Sequence, residues 1–297
     1  MSRCLFCDNE ADSREHLFPD WLNKVIPIGS PTTFLRGESG NPAILGWQKS
    51  KPASHRIKVV CTTCNTGWMS NRLENPAIPV LTPLILGHER DLSIDDQKII
   101  ATWAFARAVI GEHLDPAGAA IPETQRHWLR DHLEPPENVR VFIAATDGHW
   151  QAGAPALGNV QYSANKMAID HDQTHVQEGM TAGRLLGYQA SILMRHLALQ
   201  VVGSIIDKAE FAHDAALNAY TAQIWPIEGP IHWPPGPVFT SPTLERFLGA
   251  YMGSAPPEKK RHLPTAAEFA AIATRPNRKA RRAAERARRK GPQPPTS

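Results

Sequence analysis

Four cysteines stand in two pairs, Cys4-x2-Cys7 and Cys61-x2-Cys64, and the rest of the chain holds none. Four thiolates close the tetrahedral shell of a structural Zn2+, so two such knuckles with nothing left over predict one zinc site. A redox pair would need one CxxC and a βαβ setting. A disulfide framework would need scattered cysteines and an oxidising compartment. If zinc joins the two pairs, it also gathers what lies beside them. Ser13-Arg14-Glu15-His16 follows the first knuckle, and Asn65 comes directly after the second. A carboxylate and an imidazole then face the start of one helix, beside an amide oxygen that is a hard donor suited to a Mg2+-type ion.

The runs CLFC, SREHLFP and CTTCN, in that order, resemble the HNH, or ββα-metal, endonucleases of the zinc-bearing treble-clef type. The resemblance covers residues 1 to 74. It implies that the cysteines are structural, that Glu15 and Asn65 hold a catalytic Mg2+ or Mn2+, and that His16 is the general base. The chemistry suits those residue types. Phosphodiester hydrolysis needs a base within reach of a water and a cation for charge on the leaving oxygen, and a neutral imidazole can accept that proton near neutral pH. The family usually carries an Asn about five residues before the second knuckle. Here that position is Arg56, which, with Arg72, becomes an expected substrate contact; Asn41 is a candidate replacement. The alternative is a zinc-stabilised nucleic-acid- or protein-binding module without activity. Simpler fates also exist for these side chains: Glu15 could pair with Arg14 or Arg72, and Trp68, Met69 and Leu73 could be core.

The elements that must position these groups follow from pattern. Residues 27–54 are rich in Pro and Gly and read as an insertion loop with a short strand near Ala43–Trp47. Arg56–Val60 reads as a strand into the second knuckle, and Thr62–Glu74 as a helix stopped by Asn75-Pro76. A Pro-punctuated connector, 76–83, precedes a helix from Ser93 toward Gly111, with Ser93 and Asp96 forming a capping box. Pro122 opens a helix to Leu133. Val139–Ala145 and Val160–Ile169 read as strands, and Leu185–Val202 fits either two strands or a helix. The Pro-rich stretch 225–242 must be extended or looped. Thr243–Met252 and Thr265–Ala273 are short helix candidates. His171 and His175 lie in a polar loop without cysteine and read as exposed.

The expected architecture is α+β. A treble-clef (ββα-metal) module over 1–75 precedes a mixed α+β domain over 76–274 and a disordered basic tail over 275–297. The net charge of +3 hides an uneven distribution. Arg275 to Lys290 carries nine Lys/Arg against one Glu, so the preceding 274 residues sum to −5, and 75–274 to −7 because 1–74 is +2. Such a tail attracts polyanions, which makes DNA the expected partner, while the acidic middle suits a protein partner. No run of about 18 apolar residues and no signal-like N-terminus is present, so the expected setting is cytoplasmic, away from membranes.

Overall fold

The helix that starts at Ser93 is the axis of the fold. Its capping box forms in both directions: Ser93 Oγ accepts from the Asp96 amide, and the Asp96 carboxylate accepts from the Ser93 amide. This helix, α4 (Ile94–Glu112), is rich in the strong helix former Ala and is buried on nearly every face. In this computed structural model the described residues are 2–26, 32–38, 41–48, 56–113, 120–148, 160–167, 187–204, 217–239, 243, 244 and 247. All belong to one compact unit, 1–152 with 156–261. The second unit, 153–155 with 262–297, lies outside them, as do His171, His175, the basic tail and nearly all of the last two helix candidates.

Both helices and sheets are present, so the chain is α+β. Strands β1 (Ser13–His16) and β4 (Arg56–Val60) form an antiparallel ribbon. Between them lie the short helix α1 (Leu22–Val25) and strands β2 (Thr32–Glu38) and β3 (Asn41–Gln48). The expected insertion loop is therefore a hairpin, with Asn41 opposite Glu38. It joins a seven-stranded mixed sheet ordered β10-β6-β9-β8-β7-β2-β3, comprising β6 (Val139–Ala145), β7 (Val160–Met167), β8 (Gly187–Met194), β9 (Leu197–Ser204) and β10 (Thr221–Trp225). Only β2 and β7 run parallel; the other neighbours are antiparallel. A third ribbon pairs β5 (Arg90–Leu92) with β11 (Ile231–Trp233).

The 185–202 ambiguity resolves into β8 and β9, joined by a two-residue turn in which Arg195 takes φ 50. Both strands are buried along their whole length, and that erases the alternation a half-buried strand would show. Ala190, Ile192, Leu199 and Val201 face the core shared with α4 and the knuckles. Leu193 and Ala198 face a second cluster with Phe239 and Phe247.

The expectation for 62–83 needs correction. The chain does not stop at Asn75-Pro76 and holds no connector there. A turn of helix, α2 (Thr62–Cys64), leads into a π-type segment, Asn65–Glu74, that kinks at Gly67, where the backbone leaves helical geometry (φ −87, ψ −108), and then continues as α3 (Asn75–Ile85) with Pro79 and Pro83 inside it. Pro76 stands at the junction of the two segments, where its fixed φ suits the helix that follows. The Asn75 amide reaches back to Ser70 O in the wider register. Ala77, Val80, Leu81, Leu84 and Ile85 bury one face of α3, and that packing holds a helix its prolines would otherwise break. α5 (Glu123–His132) follows Pro122 as expected and ends at Leu133 with φ 54.

Candidate functional site

The four Sγ atoms lie within 4.8 Å of one another, and Cys7 is 3.6 Å from both Cys61 and Cys64. A tetrahedron with Zn–S bonds of about 2.3 Å has edges of about 3.8 Å, so the cluster is geometrically suited to zinc. The knuckles supply their own sulfur-directed amides: Phe6 N donates to Cys4 Sγ at 3.5 Å and Cys64 N to Cys61 Sγ at 3.4 Å. The thiols also work against one another. A hydrogen bond from Cys64 holds the Cys4 thiol down to about 4, and its bond to Cys4 together with burial pushes the Cys64 thiol far up. Four packed thiols cannot all ionise unaided, and a divalent cation would take them all as thiolates.

The ribbon brings Glu15 and His16 beside this cluster but turns them to opposite faces, as strand alternation requires. Glu15 is 7% exposed, and His16 is half-buried at the outer surface, opposite Arg56 in the ladder. Arg56 Nε donates to His16 Nε2 at 2.6 Å, a contact that only a neutral imidazole can accept. Burial first, then the Arg56 guanidinium, holds the His16 pKa below 6.5, with Glu15 and Asp20 pulling the other way. Arg14 and Lys58 are exposed on the same ribbon, so with Arg56 its solvent side carries three cations, against Asp12 near Lys58 and Asp20 near His16.

Asn65 ends the first turn after the knuckle, where its Nδ2 donates to Ser13 Oγ at 2.9 Å and so leaves Oδ1 as its ligand atom. Asp12 Oδ1 accepts from Thr62 N at 2.6 Å and ties the ribbon to the head of the same helix. Arg72 is exposed on the π-type segment, while Met69 and Leu73 are core and Trp68 packs edge-on against Phe6 at 5.1 Å.

Glu15 does take an arginine, though neither Arg14 nor Arg72. Its Oε1 accepts from Arg107 Nη1 at 3.0 Å, and the same Nη1 donates to His16 O at 2.9 Å. Arg107 is fully buried in the middle of α4. Its Nη2 lies 3.1 Å from Glu74 Oε1, close enough for an ion pair although not aligned as a hydrogen bond. Glu74 Oε2 accepts from Trp21 Nε1 at 2.8 Å and Trp103 Nε1 at 3.2 Å. Sequence reasoning missed Arg107, Glu74 and Trp21. One signal was present: a lone arginine within the run IIATWAFARAVIG, where each neighbouring side chain is apolar or small.

Glu15 and Asn65 thus offer a carboxylate and an amide oxygen, donor types that fit a hard cation, with one Glu15 oxygen already engaged. Among the described residues, the four cysteines are the one group of three or more His, Cys, Asp or Glu able to share an ion. Among those residues, too, no helix is long and apolar enough to cross a membrane. Comparison with protein-family models, curated proteins and solved structures returned no significant match.

Proposed function

We propose that the ribbon and its knuckles form the reaction centre of a metal-dependent, HNH-like endonuclease of treble-clef type that hydrolyses DNA phosphodiester bonds. The observation that carries this reading is the His16–Arg56 contact, which sets a neutral base and a phosphate-binding cation side by side on an exposed face. A phosphate is a stronger, bidentate partner for guanidinium than an imidazole is. An arriving backbone phosphate therefore draws Arg56 away and frees Nε2. That nitrogen takes the proton of the attacking water as the new P–O bond forms and the bond to the leaving oxygen breaks. Mg2+ or Mn2+ would supply charge neutralisation at the leaving oxygen; Asn65 Oδ1 would be one ligand, and Glu15 would join it only by turning away from Arg107. Arg72 and the basic tail extend the contact with DNA, and the acidic 76–274 region would meet a protein partner, in a cytoplasmic setting.

Plasmid nicking by the purified full chain with Mg2+ or Mn2+, beside His16→Ala, tests the reading. Nicking that His16→Ala abolishes is expected. Nicking that survives the substitution, or none by either protein, overturns it. Deleting 275–297 should weaken DNA binding mainly at low salt, and unchanged binding would remove the tail from the account. One observation favours the second reading, a binding module without activity: Glu15 points inward to Arg107. Zinc-dependent DNA binding without nicking would decide for it.

A further inference from the structure

We propose that Arg107 is the positioning residue of the His16 centre, acting from α4, outside the zinc-bearing segment. The inference rests on the reading of His16 as the base. Arg107 Nη1 uses its two hydrogens on the Glu15 carboxylate and the His16 carbonyl. It thereby brackets the one peptide link that sets where the imidazole stands. With Glu15 anchored inward, strand alternation sends His16 outward. The β1–β4 ladder is a weak guide at this point. β1 has four residues, and its register shifts between Ser13 and Glu15. The far end of the segment is tied to the same network, because Trp21 Nε1 bonds the Glu74 carboxylate that faces Arg107 Nη2. Residues 15 to 21 are therefore held at both ends by groups that meet at one guanidinium.

Stability alone does not account for such a cluster. Taking an arginine and two carboxylates out of water is costly, and well-packed apolar residues often do as well or better in the same space. What apolar residues cannot supply is direction. A guanidinium donates in a fixed planar fork, whereas an ammonium is a rotating point charge that cannot hold both acceptors at set angles. Catalytic geometry is where that difference is felt, since a misplacement of about 1 Å can cost about 100-fold in rate.

The test uses the full-length protein with Arg107→Met and Arg107→Lys. Zinc content and thermal unfolding establish that each variant is folded. Plasmid nicking then gives kcat and KM, and NMR of histidine-labelled protein, with His16→Ala assigning the signal, reports whether the His16 ring occupies one environment. Arg107→Met should lower kcat about 100-fold with KM within about threefold, and Arg107→Lys should lie between it and wild type. A kcat within about twofold of wild type in folded Arg107→Met overturns the proposal, as does a loss confined to KM. If Arg107→Met does not fold, Arg107→Lys decides: a kcat about tenfold down at unchanged KM supports positioning, and wild-type kinetics overturn it. If wild type nicks nothing, the endonuclease reading falls by itself, and the NMR signal settles Arg107. One sharp His16 environment in wild type that splits or broadens in either folded variant supports it, and an unchanged signal overturns it.

Discussion

Two centres organise the N-terminal part of this protein, and they are built on opposite principles. The cysteine cluster joins two short motifs, each a CxxC whose own backbone amides turn toward its sulfurs. The Arg107 centre joins single residues from β1, the π-type segment, α4 and the stretch before α1, drawn from segments far apart in sequence. The first holds the ribbon's chain ends together and the second holds its inner face. The comparison teaches that a site can have its scaffold in one place and its aim in another.

If the cluster holds zinc as its geometry suits, removing that metal is the largest perturbation. Structural zinc contributes roughly 10–16 kcal/mol in small zinc-finger domains, so Cys61→Ser or chelation should unfold the ribbon while α4 and the large sheet persist. Metal analysis with amide exchange along β1 and β4 reads this out. Slow exchange retained in the metal-free ribbon would show that the inner centre suffices. Next in size is Arg107→Ala, which strands two carboxylates in the core and should cost about 3–5 kcal/mol in denaturant unfolding. A larger cost than zinc removal would reverse the ranking of the two centres.

A pH series separates them further. Burial holds the Glu74 carboxyl above its ordinary 4.5, against the pull of Arg107 and the two indoles. The folded protein therefore keeps a proton that the unfolded chain releases. This contribution is fully present below 4.5 and is lost as pH rises from there through the raised value. Glu74→Gln should remove that slope from the urea midpoint, and an unchanged slope would assign it to other groups. The smallest effect is expected of Trp21→Phe, which deletes one part-buried hydrogen bond to Glu74 and should cost about 1 kcal/mol by the same measurement. A cost well above that would mean the indole is packing as much as bonding.

Legibility follows the same division. Cysteine spacing announces the cluster because its ligands sit in pairs, and Ser93 with Asp96 announces α4 because capping is local. The 62–83 run misleads because prolines are read as breaks, whereas here a buried apolar face and a widened turn carry the helix through them. β2 and β3 hide in a Pro/Gly-rich run because the partner strand that orders them, β7, is distant in sequence. Arg107 hides for the same kind of reason: Glu15 is 92 positions away. Glu15, His16 and Asn65 could be singled out by type, but neither the inward turn of Glu15 nor the lone pair that Arg56 occupies on His16 follows from type.

The parallel pairing of β2 with β7 has a consequence for the order of synthesis. Thr32–Gln48 leaves the ribosome about 110 residues before Val160 does, which at about 5–20 residues per second is a delay of roughly 6–22 s. Both knuckles are complete once Cys64 emerges, so a metal bound by the four cysteines would close the ribbon early. The hairpin strung between its strands then waits with the free edge of β2 open until β7, the strand that pairs with it, has been made.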